Sequence, residues 1–223
     1  MGIDAMNLRP AIFLDRDGVI NSNVLDPATG EYGAPLTADG FQVAPRAIEG
    51  LLALQRVGYP LFLISNQPNY AKGKTTLKEL AAIHRMLQEE LVSAGIPFTE
   101  FYYCYHHPHG EVAGYSGPCE CRKPSPYFLR KAKEEHGVSL EASWMIGDRV
   151  TDIECGRAAG LYTIRIAEDH PAQRNPNEVQ ADFTASNLAD AAKIIIEHSE
   201  SIKVSRPTTS RPSYSATRRS RAA

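Results

Sequence analysis

No apolar stretch of this 223-residue chain approaches the ~20 residues that a bilayer-spanning helix needs. The opening residues, Met1 to Pro10, include Asp4 and have no apolar central segment, so no secretory signal is expected. Met6 stands where a myristoylation site would have Ser or Thr, which excludes Met1-Gly2 as such a site. A cytoplasmic protein is the expectation. Cysteine is scarce, with four in all, and in a reducing compartment clustered cysteines read as metal ligands rather than disulfides. Beyond Ser201 there is no acidic residue at all, against six basic ones: Lys203, Arg206, Arg211, Arg218, Arg219 and Arg221. Setting those charges aside, the net −2 of the chain leaves about −8 on the rest. From Val204 to Ala223 the chain is Ser, Thr, Pro and Arg with little to bury, and it is expected to be a disordered tail. Its basic run is read as a solvated terminus, with no nucleic-acid or membrane partner expected.

With 43% hydrophobic and 22% charged residues, the chain has the composition of a globular protein with one sizeable core. Strand-like apolar runs alternate with helical patterns. Strands are expected at Ala11–Leu14, Tyr59–Ile64, Phe98–Cys104, Trp144–Ile146 and Leu161–Ile166, with a short last one opening at Phe183. Helices are expected over Pro45–Val57, Thr76–Ala94, Pro126–Glu135, Thr151–Ala159 and Leu188–His198, with Gly58 at the first helix's carboxyl cap. Such alternation predicts an α/β protein, a doubly wound parallel sheet with helices on both faces. One body over residues 8–200 is expected, and residues 204–223 as tail.

The most informative segment is Asp15-Arg16-Asp17-Gly18, directly after the first strand. Open α/β sheets bind ligands beyond the carboxyl ends of their strands, so both acids are delivered to that crevice. Two carboxylates this close repel each other unless a cation stands nearby, and a divalent ion is the natural one. Three later segments fall at comparable positions. Ser65-Asn66 offers a hydroxyl and main-chain donors for a phosphoryl oxygen. Arg122-Lys123 brings cationic donors, and Gly147-Asp148 with Thr151-Asp152 brings further acids for magnesium. Gly73-Lys74-Thr75 looks like the end of a P-loop, but Pro68 occupies the place of its first glycine, so ATP is not expected there.

Asp-x-Asp-Gly, Ser-Asn-Gln, Arg-Lys-Pro and Gly-Asp-x-x-x-Asp, in this order, resemble the four signatures of the haloacid dehalogenase superfamily across roughly residues 10 to 190. The resemblance implies a Rossmann-like fold and an aspartyl-phosphate mechanism. Asp15 would be the nucleophile and Asp17 the general acid and base. Ser65 and Lys123 would hold the phosphoryl group, with Asn66 also at the substrate. Magnesium would sit at Asp15, Asp17 and Asp148.

Cys104, His106, Cys119 and Cys121 form C-x-H-x12-C-x-C, a closed set suited to structural zinc over a loop of residues 104–121. The string Tyr-Tyr-Cys-x-His-His-Pro, with the later Cys-x-Cys-Arg-Lys-Pro, is similar to the heptose 1,7-bisphosphate 7-phosphatase family. That family lacks a large cap and carries a zinc loop, and its substrate-contacting Arg matches Arg122. A monomeric phosphatase of a small phosphorylated sugar is implied, with histidinol phosphate as the nearest other substrate. A non-catalytic, zinc-stabilised interaction protein is the reading from another class. The chain departs from the heptose enzymes at Pro68-Asn69-Tyr70-Ala71-Lys72-Gly73 and in its long Val24–Phe41 segment, both expected to bear on the sugar.

Overall fold

A computed structural model describes residues 8–26, 30–167 and 178–204. Strands β1 (Ile12–Leu14), β4 (Leu61–Asn66), β5 (Glu100–Cys104), β6 (Trp144–Gly147), β7 (Tyr162–Ile166) and β8 (Phe183–Ala185) form one parallel sheet in the order β5-β4-β1-β6-β7-β8. Strands β2 (Val24–Leu25) and β3 (Tyr32–Gly33) pair antiparallel as a separate small hairpin. The helices are α1 (Ala47–Val57), α2 (Leu77–Ser93), α3 (Tyr127–His136), α4 (Val150–Ala158) and α5 (Leu188–Val204).

Sheet order follows from the chain's path. It runs outward from β1 through β4 to β5, returns to the other side of β1 at β6, and then runs outward again. The carboxyl ends of β1 and β6 therefore face a crevice where the winding direction reverses.

Both faces of β1 are covered, which is why it reads as an unbroken apolar run. Ile12 and Leu14 join a core with Leu51 and Leu54 of α1, Leu80 and Leu87 of α2, and Ile195 of α5. Phe13 points the other way, to Phe62, Met145 and the helix α3 residues Leu129 and Ala132. Among the described residues, no helix is long and apolar enough to cross a membrane.

Helix ends agree with their local chemistry. Gly58 closes α1 in the left-handed region at φ 81°, and Thr76 caps α2 by accepting the Glu79 amide at 3.1 Å. Two differences from the sequence reading are physical. Helix α5 runs six residues past His198 to Val204, at the point where the tail was expected to start. From residue 205 on, that tail lies outside the described residues. The β2–β3 hairpin lies inside the long Val24–Phe41 segment and has no signal in the sequence, because two residues per strand leave no alternation to detect.

Helices α1 and α5 pack closely, and Gly50 makes this possible. A Cβ there would stand 2.6 Å from the Leu188 carbonyl carbon and 2.7 Å from the Ala189 nitrogen, both main chain. Alanine favours a helix by about 1 kcal/mol over glycine. At this position the clash should win, and Gly50→Ala is expected to destabilise by about 1–3 kcal/mol, read as a lower midpoint in thermal melts.

Candidate active site

Asp15 emerges from β1 with its amide bound to the Ile146 carbonyl at 2.9 Å, so β6 fixes its height. Its Oδ1 lies 2.9 Å from Lys123 Nζ. The same ammonium meets Asp152 Oδ1 at 2.6 Å and the Ile64 carbonyl at 2.7 Å, which uses all three of its donors. All four groups are buried. Lys123 is held from behind by Asn66, which donates to its carbonyl and accepts from its amide, both at 3.1 Å.

Asp148, after β6, accepts from Asn23 Nδ2 at 3.0 Å through Oδ2, while its buried Oδ1 has no hydrogen-bond partner. Gly18, at φ 77°, lies against this carboxylate, and a Cβ there would fall on the Asp148 side chain. Carboxylate oxygens of Asp15, Asp148 and Asp152 all approach within 4.8 Å of one another. Two of these three buried acids, Asp15 and Asp152, thus share one buried lysine, and Asp148 has none among the described residues. Burial pushes the Asp15 carboxyl up to about 6, against the pull of Lys123 and with a further push from Asp152 and Asp17. Burial, then Asp15 and Asp152, raises Asp148 well above the usual carboxylate range. Lys123 is raised, its two acids outweighing its burial. An orphaned carboxylate oxygen and an excess of buried negative charge fit a hard divalent cation.

Sequence reading grouped Asp15, Asp17 and Asp148; the carboxylates that converge are Asp15, Asp148 and Asp152. Asp17 turns both oxygens elsewhere. Oδ1 accepts from Arg16 Nε at 3.1 Å, Arg16 NH2 at 3.0 Å and Asn21 at 3.0 Å, and Oδ2 accepts from Gln67 at 2.6 Å. Ser65 is buried at the end of β4, with its hydroxyl accepting from Gln67 Nε2 at 3.0 Å, whereas Asn66 reaches the cavity wall. Asn23 and Gln67 carry no assignment from the sequence, and Asp152 is offered there as a further acid for magnesium but not placed in the Asp15, Asp17 and Asp148 set. Asp152 had a signal in its position at the first turn of α4 after Gly147-Asp148, where its Oδ2 accepts the Arg149 amide at 3.0 Å.

A cavity of about 700 Å³ opens over Asp15 and Asp17. Its wall includes Lys72, Arg122 and Arg149, together with Val24 and Tyr32 of the hairpin. Burial and the neighbouring Lys74 and Arg122 charges lower the Lys72 ammonium below its ordinary value.

Beside the cavity, Cys104 at the end of β5 gathers with His106, Cys119 and Cys121, their ligand atoms all within 4.8 Å. Cys119 stands 3.7 Å from Cys104 and 3.8 Å from Cys121. Zinc–sulfur bonds of 2.3 Å at the tetrahedral angle put sulfurs about 3.8 Å apart. Cys104 and Cys121 are closer, at 3.0 Å, and His106 presents Nδ1 at 3.6 Å from Cys121. The donor set and its spacing fit zinc. Arg122 reaches back from this loop to the His106 carbonyl at 3.4 Å.

A family model described as HAD-hydrolase-like matches residues 120–191. A D-glycero-beta-D-manno-heptose-1,7-bisphosphate 7-phosphatase of Yersinia pestis is 33% identical over 186 residues, 83% of this chain and 95% of the relative. The enzyme of that name from Escherichia coli is 31% identical, with 83% and 93% covered. The solved D,D-heptose 1.7-bisphosphate phosphatase of B. bronchiseptica, complexed with magnesium and phosphate, superposes with a TM-score of 0.70 at 24% identity, covering 85% of this chain and 99% of that one. The four signatures, the sheet order and this similarity along most of both chains carry one conclusion: the chain belongs to the haloacid dehalogenase superfamily, in the family of the heptose-bisphosphate phosphatases, and is a phosphoric monoester hydrolase.

Proposed function

We propose that the enzyme removes the 7-phosphate of D-glycero-D-manno-heptose 1,7-bisphosphate through an aspartyl-phosphate on Asp15. The observation that carries this is the Asp15–Lys123–Asp152 arrangement at the floor of a cavity whose wall holds further cations. Asp15 attacks phosphorus in line and the bond to the C7 oxygen breaks. Asp17 gives that oxygen a proton, then takes one from the water that attacks the acyl phosphate, and Asp15 is regenerated. The Lys123 charge beside Asp15 and a hydrogen bond from the Ser65 hydroxyl steady the phosphoryl oxygens. Bound at Asp15 and Asp148, with Asp152 beside them, magnesium would neutralise the charge that keeps an anionic nucleophile from an anionic phosphate. Lys72 and Arg122 meet the second phosphate of the sugar. Zinc at Cys104, His106, Cys119 and Cys121 is structural, since four ligands leave no open position. None of the four cysteines is in a disulfide, which suits a reducing cytoplasm, and we take the enzyme to work there as a monomer.

Phosphate release over a panel of esters, with and without magnesium, tests the substrate. The heptose bisphosphate should turn over fastest and leave the 1-phosphate, and chelation should end activity. Preference for histidinol phosphate would overturn the sugar assignment.

Magnesium should also stabilise the fold in a pH-dependent way. With its carboxyl raised to about 6, Asp15 favours the folded state when protonated, and that contribution is lost as pH rises from about 4 through 6. A cation binding there must displace protons below pH 6 and none above it. At one fixed concentration, 100 times its dissociation constant at pH 7.5, magnesium should raise the melting midpoint by about 5–10 °C at pH 7.5 and by clearly less at pH 5. Equal shifts at both pH values would contradict this.

A further inference from the structure

Arg16 lies between the two aspartates and takes no part in the chemistry above. Its side chain is 1% exposed, and it holds Asp17 as a two-pronged fork, with Nε donating to Oδ1 at 3.1 Å and NH2 shared between Oδ1 at 3.0 Å and Oδ2 at 3.2 Å. Its carbonyl accepts the amides of Ile20 at 2.8 Å and Asn21 at 3.0 Å, closing the turn that brings the Asn21 amide to Asp17. Behind the guanidinium stands Tyr103 of β5, with its ring centre 5.9 Å from the guanidinium carbon. The Tyr103 hydroxyl meets His84 Nδ1 of α2 at 2.9 Å. A buried ion pair adds little net stability, since desolvation consumes most of its attraction. What it does supply is direction: a planar fork fixes a carboxylate in plane and angle, as a lysine cannot.

We propose that Arg16 is a positioning residue that aims the Asp17 carboxylate at the leaving-group oxygen, with Tyr103 and His84 as its backing. This rests on Asp17 being the acid and base. The fork, Asn21 and Gln67 together leave Asp17 one orientation, set from the turn after β1 and the end of β4. A carboxylate with a rigid address loses little to reorientation when the ester bond breaks.

Leaving groups separate this from a role in folding. kcat/KM reports the steps through transfer of phosphorus to Asp15, where a C7 alkoxide needs a proton and p-nitrophenolate does not. Arg16→Lys, which keeps the buried charge and removes the fork, should lower kcat/KM about 100-fold on the heptose bisphosphate and within about 5-fold on p-nitrophenyl phosphate. Tyr103→Phe should give a smaller split in the same direction. Asp17→Asn, measured beside them, should split the two esters at least as widely. If Asp17→Asn splits them and Arg16→Lys lowers both alike, the positioning role is overturned and Asp17 keeps its assignment. If Asp17→Asn itself lowers both alike, the assignment of Asp17 fails and the role of Arg16 with it.

Discussion

Asp15→Asn should lower phosphate release by about 10⁴-fold or more while leaving the protein folded and, without metal, more stable. The two effects have one cause. Asp15 is a buried acid facing two others, and burial already pushes its carboxyl up to about 6. An amide of the same shape removes a charge that the fold holds at a cost, while Lys123 keeps its ion pair with Asp152 at 2.6 Å. At pH 7.5 the melting midpoint of the metal-free variant should rise, by about 1–3 kcal/mol of stability. Chemistry disappears because an amide neither attacks phosphorus nor carries an acyl phosphate. Thermal melts beside a phosphate-release assay read both effects. A variant that is inactive and also less stable would show that Asp15 holds the site together rather than straining it.

Lys123→Met should have the opposite profile, losing stability and activity together. Nζ is the hub of Asp15, Asp152 and the Ile64 carbonyl, and no other lysine or arginine forms a salt bridge with either acid among the described residues. Removing it leaves two buried carboxylates uncompensated, at a cost of about 3–5 kcal/mol near neutral pH. Turnover should fall by about 10³-fold, since a preorganised cation at the phosphoryl group is lost. Adding Asp152→Asn to Lys123→Met should return part of the stability and none of the activity. The pair is then coupled in melts and additive in turnover. Simple additivity in both measurements would contradict the hub.

Much of this site was legible because its parts sit where strands end. Asp15, Asp148 and Lys123 each follow or approach a strand or helix terminus, and a parallel sheet brings such positions to one edge. The cysteines were legible for another reason: close pairs separated by a loop have few other uses in a reducing compartment. What stayed hidden depends on partners far away in sequence. Nothing near Asp17 says that Gln67 will donate to it, or that Asn23 will reach Asp148, 125 residues on. Asp17 is expected at the metal because repulsion between neighbouring acids is readable, whereas the donors that take up its oxygens, from Arg16, Asn21 and Gln67, are a matter of side-chain rotamer. The hairpin was lost to its shortness, and the last turns of α5 to a sequence whose apolar pattern fades before the helix does.

The stereochemistry at phosphorus tests the nucleophile most directly. A heptose bisphosphate with a 7-thiophosphate made chiral by two oxygen isotopes, hydrolysed in water of the third isotope, should give thiophosphate with net retention of configuration; an isotopically chiral 7-phosphate passed to an alcohol acceptor should show the same. Two in-line displacements, one by Asp15 and one on the acyl phosphate, invert twice. Net inversion would mean a single direct attack by water and would remove Asp15 from the covalent path.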